Sequence, residues 1–123
     1  LTRCTACYAF FAYARKLVAT KLIVSESMPY RACFNYCDAL ENLVIEGTIG
    51  QNGFDVQWSP LTHDSLVSVI NALSTETSGL SVTLSKTAVN KAFETSEGTN
   101  DGSTSAEWLA LANTKSNWTI SLV

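Results

Sequence analysis

Apolar and polar positions follow two rhythms along this chain, and one gives way to the other at regular intervals. From Tyr30 to Glu46, Cys33, Phe34, Cys37 and Leu40 recur every three or four residues, which predicts one or two turns of helix. Leu43 and Ile45 then alternate with Val44 and Glu46, which predicts a short half-buried strand. About 23 residues earlier the order is the same: Phe10, Phe11, Ala14 and Leu17 precede Leu22 and Val24, with Lys21, Ile23 and Ser25 on the other face. Self-similarity at a period of roughly 20 to 29 residues marks a leucine-rich solenoid, whose units bury their apolar faces only by stacking. The pattern therefore predicts an α/β fold: a right-handed leucine-rich-repeat solenoid with short parallel strands and a helical C-terminal cap. Val24, Ile45, Val82 and Ile120 would be the rungs of its single ladder.

Met28-Pro29 separates the first two units, because proline lacks an amide donor and disfavours helix in the residue before it. Gly47 to Gly53 closes the second unit, with Asn52-Gly53 a tight-turn signal. A phosphate-binding loop would need Lys-Ser/Thr and a helix after these glycines, whereas Phe54-Asp-Val-Gln-Trp58 follows. From Pro60 the units lengthen. Thr62 to Leu73 carries a helical stripe of Leu66, Val69, Ile70 and Leu73, with Thr62 or Asp64 as the cap. Leu80, Val82 and Leu84 alternate with Ser81, Thr83 and Ser85 as a third strand. Ala88, Val89, Ala92 and Phe93 form another helical face, and Glu94 to Ser103 reads as a surface loop whose oxygens lack a calcium signature. Thr104 and Glu107 fit a capping box before Trp108, and Trp118, Ile120 and Leu122 alternate with Thr119 and Ser121 as the final strand. Residues 1–123 thus read as one domain, with short repeats over 1–59 and a cap over 60–123 that protects the last strand's open edge.

Composition narrows the partners. The 123 residues carry 8 basic and 11 acidic side chains and a net charge of −3, without a Lys/Arg stripe, which argues against nucleic acid. No apolar run approaches the roughly 20 residues of a membrane span. With no initiator Met and the repeat already running in the first ten residues, the chain is expected to begin inside a larger protein. Cys4, Cys7, Cys33 and Cys37 have a spacing that admits a zinc-binding structural domain. The second pair lies on the apolar stripe beside Phe34 and Leu40, so buried thiols are the plainer reading, with a disulfide as the third.

With these residues in view, the chain resembles the BspA-type leucine-rich repeats of surface proteins from gut and oral bacteria and their phages. The resemblance lies in Cys33-Phe-Asn-Tyr-Cys-Asp-Ala-Leu-Glu-Asn-Leu-Val-Ile-Glu-Gly47, and in the tails over 61–73 and 108–122. Ala14 stands where Cys37 stands one unit later, so the family's cysteine column is incomplete. The resemblance implies extracellular, cell-surface or virion display, adhesion, and binding of a protein or glycan without catalysis or a cofactor.

Chemistry offers little against that expectation. His63 is the only histidine and adjoins Asp64 and Ser65, but residues one and two apart on a helix do not face each other, so these three are no triad. Asn117-Trp-Thr119 is a glycosylation sequon that a bacterial or phage source would leave unused. Binding is expected on the outward row of the strands: Lys21, Ile23 and Ser25; Val44 and Glu46; Ser81, Thr83 and Ser85; Thr119 and Ser121. The aromatic group Tyr8, Phe10, Phe11, Tyr13, Tyr30 and Tyr36 exceeds what two small units can bury, and predicts an edge that meets a further unit or a second copy.

Overall fold

The computed structural model describes residues 11–95 and 101–123, together with the backbone of residues 2–3 and 7–8. Strands β1 (Thr2–Arg3), β3 (Ala19–Val24) and β5 (Asn42–Gly47) form one parallel sheet in the order β1-β3-β5. β2 (Cys7–Tyr8) pairs with β4 (Tyr30–Arg31). β6 (Phe54–Val56), β7 (Leu80–Leu84) and β8 (Trp118–Leu122) form a second three-stranded parallel sheet. Helices α1 (His63–Ala72), α2 (Lys86–Ala92) and α3 (Ala106–Asn113), with a 3-10 turn at Gly102–Thr104, complete the chain.

The repeat is real over its first two units. Leu22 pairs with Ile45 and Cys7 with Tyr30, each 23 positions on. Phe11 and Phe34 stack with centroids 5.2 Å apart and planes 6° apart. The predicted helical turns over 33–40 are instead consecutive three-residue turns, such as Cys37 N to Phe34 O at 3.1 Å. Ala32 and Tyr36 explain the difference, since both take left-handed backbone (φ 55° and 59°) that interrupts a right-handed helix.

The single ladder is not formed, and the expected solenoid is overturned. Val24 pairs with Gly47 and Ile45 with Leu22 in the first sheet, whereas Val82 pairs with Ile120 in the second. Two units of 23 residues are too few to make a solenoid, and the molecule is a small α/β fold with two small parallel sheets and three helices. What ends the first sheet is α1. Ser65 Oγ accepts the amide of Leu43 at 2.9 Å and donates to Glu41 O at 3.0 Å, and Ser68 Oγ accepts the amide of Ile45 at 2.9 Å. Leu43 and Ile45 are two apart on a strand, about 6.7 Å, a gap that hydroxyls three apart on a helix can bridge. The amides that a further parallel strand would need are thus already satisfied.

Thr62 caps α1, its hydroxyl accepting from Ser65 N, and Leu66, Val69 and Ile70 are buried on the core side. At the other end, the buried Lys115 ammonium donates to Asn71 O at 3.3 Å and to Leu73 O, where it complements the negative end of the helix dipole. Burial pushes its pKa down. Asn117 Nδ2 and Trp118 Nε1 both donate to Ser74 O at 2.9 Å, so the residues after α3 pin the end of α1. Phe34, Leu40, Leu43, Phe54, Leu66, Ile70 and Leu84 belong to one continuous core. The cap of α3 is Ser105, not Thr104: Ser105 Oγ accepts from Trp108 N at 3.1 Å, while the Thr104 hydroxyl donates to Asp101 O.

Two glycines allow close approach of successive units. A Cβ on Gly47 (φ +108°) would lie 2.0 Å from Val24 O, and one on Gly53 (φ +96°) 2.4 Å from Tyr30 O. Gly47→Ala is therefore expected to destabilise the protein by more than about 1 kcal/mol, since both the conformation and the space reject a methyl group. Thermal melting of this variant checks it; an unchanged midpoint would count against the β3–β5 register.

Candidate functional site

The outward row expected to bind ligand is split between the two sheets. Lys21 lies beside Val44, and Ile23 beside Glu46, in the first sheet, where Lys21 Nζ and a Glu46 carboxylate oxygen are 2.7 Å apart. In the second, Thr83 is flanked by Asp55 and Ser121, and Ser81 by Thr119. Ser25 follows the end of β3, and the Ser85 hydroxyl caps α2 by accepting from Ala88 N at 3.1 Å. The row is thus divided between two sheets, and Asp55, which sequence reasoning passed over, lies beside Thr83 in the second.

The better candidate is a groove of about 660 Å³ whose lining includes Asp38, Glu41, Trp58, Pro60, Leu61, Thr62, His63, Thr87 and Lys91. Its aromatic wall is the end of a ladder. Tyr13 and Tyr36 stack at 4.9 Å, and Tyr36 meets Trp58 at 4.8 Å. Both tyrosines take left-handed backbone, at φ 63° and 59°, a conformation uncommon outside glycine and asparagine, and one that recurs in function-bearing segments. Arg15 lies over the Tyr36 ring, 5.5 Å from its centre, and reaches Asp38 at 2.7 Å, which orients that carboxylate at the groove. The other aromatics part company with this ladder: Tyr30 is buried, Phe11 half-buried, and the side chains of Tyr8 and Phe10 lie outside the described residues.

His63 stands at the groove with both ring nitrogens engaged by carboxylates. Nε2 pairs with Glu107 across to α3, and Nδ1 with Asp64 at 3.2 Å. The Glu107 contact, and after it Asp64, pushes the imidazole pKa up, against a smaller opposing effect of burial. Two carboxylates on the two ring nitrogens favour the charged imidazolium over the neutral ring. Ser65 is 4% exposed and its hydroxyl serves the β5 edge, so it stands apart from His63 and Asp64, which hydrogen-bond to each other although they are adjacent in sequence. His63 also packs on Phe93 at 4.7 Å, and Phe93 on Trp108 at 5.3 Å, so this side chain ties α1 to α3.

The cysteines divide. Cys33 is disulfide-bonded. A disulfide sulfur is not a thiolate ligand, so the four-cysteine zinc reading lacks one of its members. Cys37 is a buried free thiol that donates to Phe11 O at 2.9 Å, and burial pushes its pKa up. Cys4 and the Cys7 side chain lie outside the described residues, among which no group of three His, Cys, Asp or Glu could hold a metal ion. The sequon amide of Asn117 is committed to Ser74 O. Among the described residues no helix is long and apolar enough to cross a membrane.

Sequence reasoning missed Trp58, Thr87 and Lys91. The available signal was the recurrence of an aromatic residue at 13, 36 and 58, at nearly the spacing of the repeat. Comparison with family models, curated proteins and solved structures finds no match.

Because the His63 pKa is raised in the folded state, its contribution to stability is fully present below the unfolded value of about 6.5 and is lost as pH rises through the folded value. Thermal midpoints of the protein and of Glu107→Gln should therefore differ most at mildly acidic pH and converge as pH rises. The effect is small, since the side chains of His63 and Glu107 are 44% and 62% exposed. A difference that grows with pH would contradict the pairing.

Proposed function

We propose that this chain is a non-catalytic recognition module that holds a glycan in the groove beside Trp58. The observation that carries the reading is the groove itself: an aromatic wall at the end of a stacked ladder, an apolar floor of Pro60, Leu61, Ala88 and Ala92, and a few polar groups at the rim. A small-molecule site needs that combination, with apolar contact for area and sparse polar groups for orientation. The carboxylates of Asp38 and Glu41 would accept sugar hydroxyls, Lys91 would donate to sugar oxygens, and Trp58 would stack on the C–H face of a ring. A protein segment is the alternative occupant of the same groove.

Display outside the cell, on a bacterial surface or a virion, belongs to the same proposal. The Cys33 disulfide supports it, because disulfides persist in oxidising compartments. So does the resemblance of the 33–47 stretch to surface-protein repeats. Nothing in the site calls for a cofactor, and the charge balance of −3 favours neither nucleic acid nor an anionic membrane.

A glycan array probed with the protein, followed by calorimetry on the strongest ligand, tests the reading. Trp58→Ala is expected to weaken binding roughly tenfold or more with an unchanged circular-dichroism spectrum. Binding that survives Trp58→Ala and Lys91→Ala together would refute the groove as the site.

A further inference from the structure

The groove is one end of a longer aromatic run. Tyr13 and Tyr36 stack with ring centres 4.9 Å apart and planes 21° apart, and Trp58, which lines the groove, follows at 4.8 Å. Tyr13 is 64% exposed and Tyr36 37%, and among the described residues no hydrogen bond engages either hydroxyl. Because the faces of Tyr13 and Tyr36 lie against each other, the stack shows ring edges to solvent, and the edge is the positive part of the ring's quadrupole. Two residues after each ring stand Arg15, Asp38 and Pro60, of which Asp38 and Pro60 line the groove and Arg15 reaches Asp38 at 2.7 Å. Groove and stack are therefore one surface.

The backbone beneath the rings is strained. Tyr13 and Tyr36 take left-handed φ of 63° and 59°, which glycine or asparagine adopts at lower cost. Among the described residues, two of the three non-glycine positions with this backbone carry these exposed rings, the third being Ala32. Such strain clusters where a side chain is held for a ligand, and here it recurs one 23-residue unit apart under the two outer members of the stack.

We propose that the stack is an extended arm of the groove, and that the ligand is an extended chain of β-1,4-linked hexoses laid across Trp58, Tyr36 and Tyr13. The inference rests on reading the groove as a glycan site. The ring-to-ring steps of 4.9 and 4.8 Å are close to the advance of one hexose along an extended chain, so successive sugars meet successive rings. A coiled α-1,4-linked chain would leave the row. Sugar oxygens suit both the positive ring edges and the tyrosine hydroxyls. An uncharged chain also avoids like-charge contacts at a surface that carries Asp38 and Glu41 beside Arg15 and Lys91.

Calorimetry with cello- and chito-oligosaccharides, from disaccharide to hexasaccharide, tests the proposal, with malto-oligosaccharides as the coiled control. Affinity is expected to rise with length as far as the tetrasaccharide and then level off, while the malto series stays weak at every length. Tyr13→Gly removes the outermost ring and relieves its backbone, so the circular-dichroism spectrum should persist while the longer oligomers lose about three- to tenfold in affinity and the disaccharides lose nothing. Trp58→Ala should weaken every length. Affinity that ignores chain length, or that ignores Tyr13→Gly, while Trp58→Ala still damages binding would overturn the extended arm and leave the groove reading standing. So would a glycan of another linkage that binds through Trp58 when no β-1,4-linked oligomer does. If no glycan binds, both readings fall.

Discussion

The seating of α1 on the open side of β5 is the constraint on which the rest of this structure depends. A parallel strand leaves every second amide pointing outward, and in a tandem array the next strand takes those amides. Here two serine hydroxyls take them, at 2.9 Å each, from a helix that runs past the strand. Burying Ser65 next to Leu66, Val69 and Ile70 would be costly if its hydroxyl were idle, but it both accepts from Leu43 and donates to Glu41. One polar side chain thus satisfies both a donor and an acceptor of the strand while its neighbours fill the core.

The placement of everything after β5 follows. With α1 fixed, its N-terminal end sets Leu61, Thr62 and His63 at the groove that Trp58 also lines, and sends His63 to Glu107. Its last turn and the residues just beyond it offer carbonyls that Lys115, Asn117 and Trp118 engage, which positions β8 beside β7. The stacked ladder of Tyr13, Tyr36 and Trp58 is the outer trace of the same geometry: one aromatic from each of three successive passes of the chain, ending where the repeat gives way to α1. The groove therefore lies at the junction between the repeated part and the helical part.

Much of the local structure was legible in the sequence. The alternation of Leu43 and Ile45, of Val82 and Leu84, and of Trp118 and Ile120 marked strands, and the stripe of Leu66, Val69, Ile70 and Leu73 marked α1. The 23-residue offset also holds, as the Leu22–Ile45 and Cys7–Tyr30 pairs show. What failed was the step from strands to sheets, because a serine on a helix reads as a solvent-facing residue whether or not its hydroxyl ends a strand. Ser65 and Ser68 carry no sequence mark that separates the two cases. The cysteines illustrate the same limit: Cys33 and Cys37 sit on one apolar stripe, yet one is disulfide-bonded and the other a buried thiol, a distinction set by what each meets across the fold. The expected binding row is divided between the two sheets for the same reason, and the groove escaped notice because its residues come from the turn after β6, the N-terminal end of α1 and the exposed face of α2, which only the fold brings together.

Amide hydrogen exchange at Leu43 and Ile45 tests the role of α1 most directly. In the native protein both amides are expected to exchange only through large-scale opening, like the core of β3, and in Ser65→Ala/Ser68→Ala both should exchange faster than the β3 amides while the remaining strands keep their protection. Equal protection of these two amides in the native protein and the double variant would contradict the account, since the edge would then be closed by something other than the serine hydroxyls.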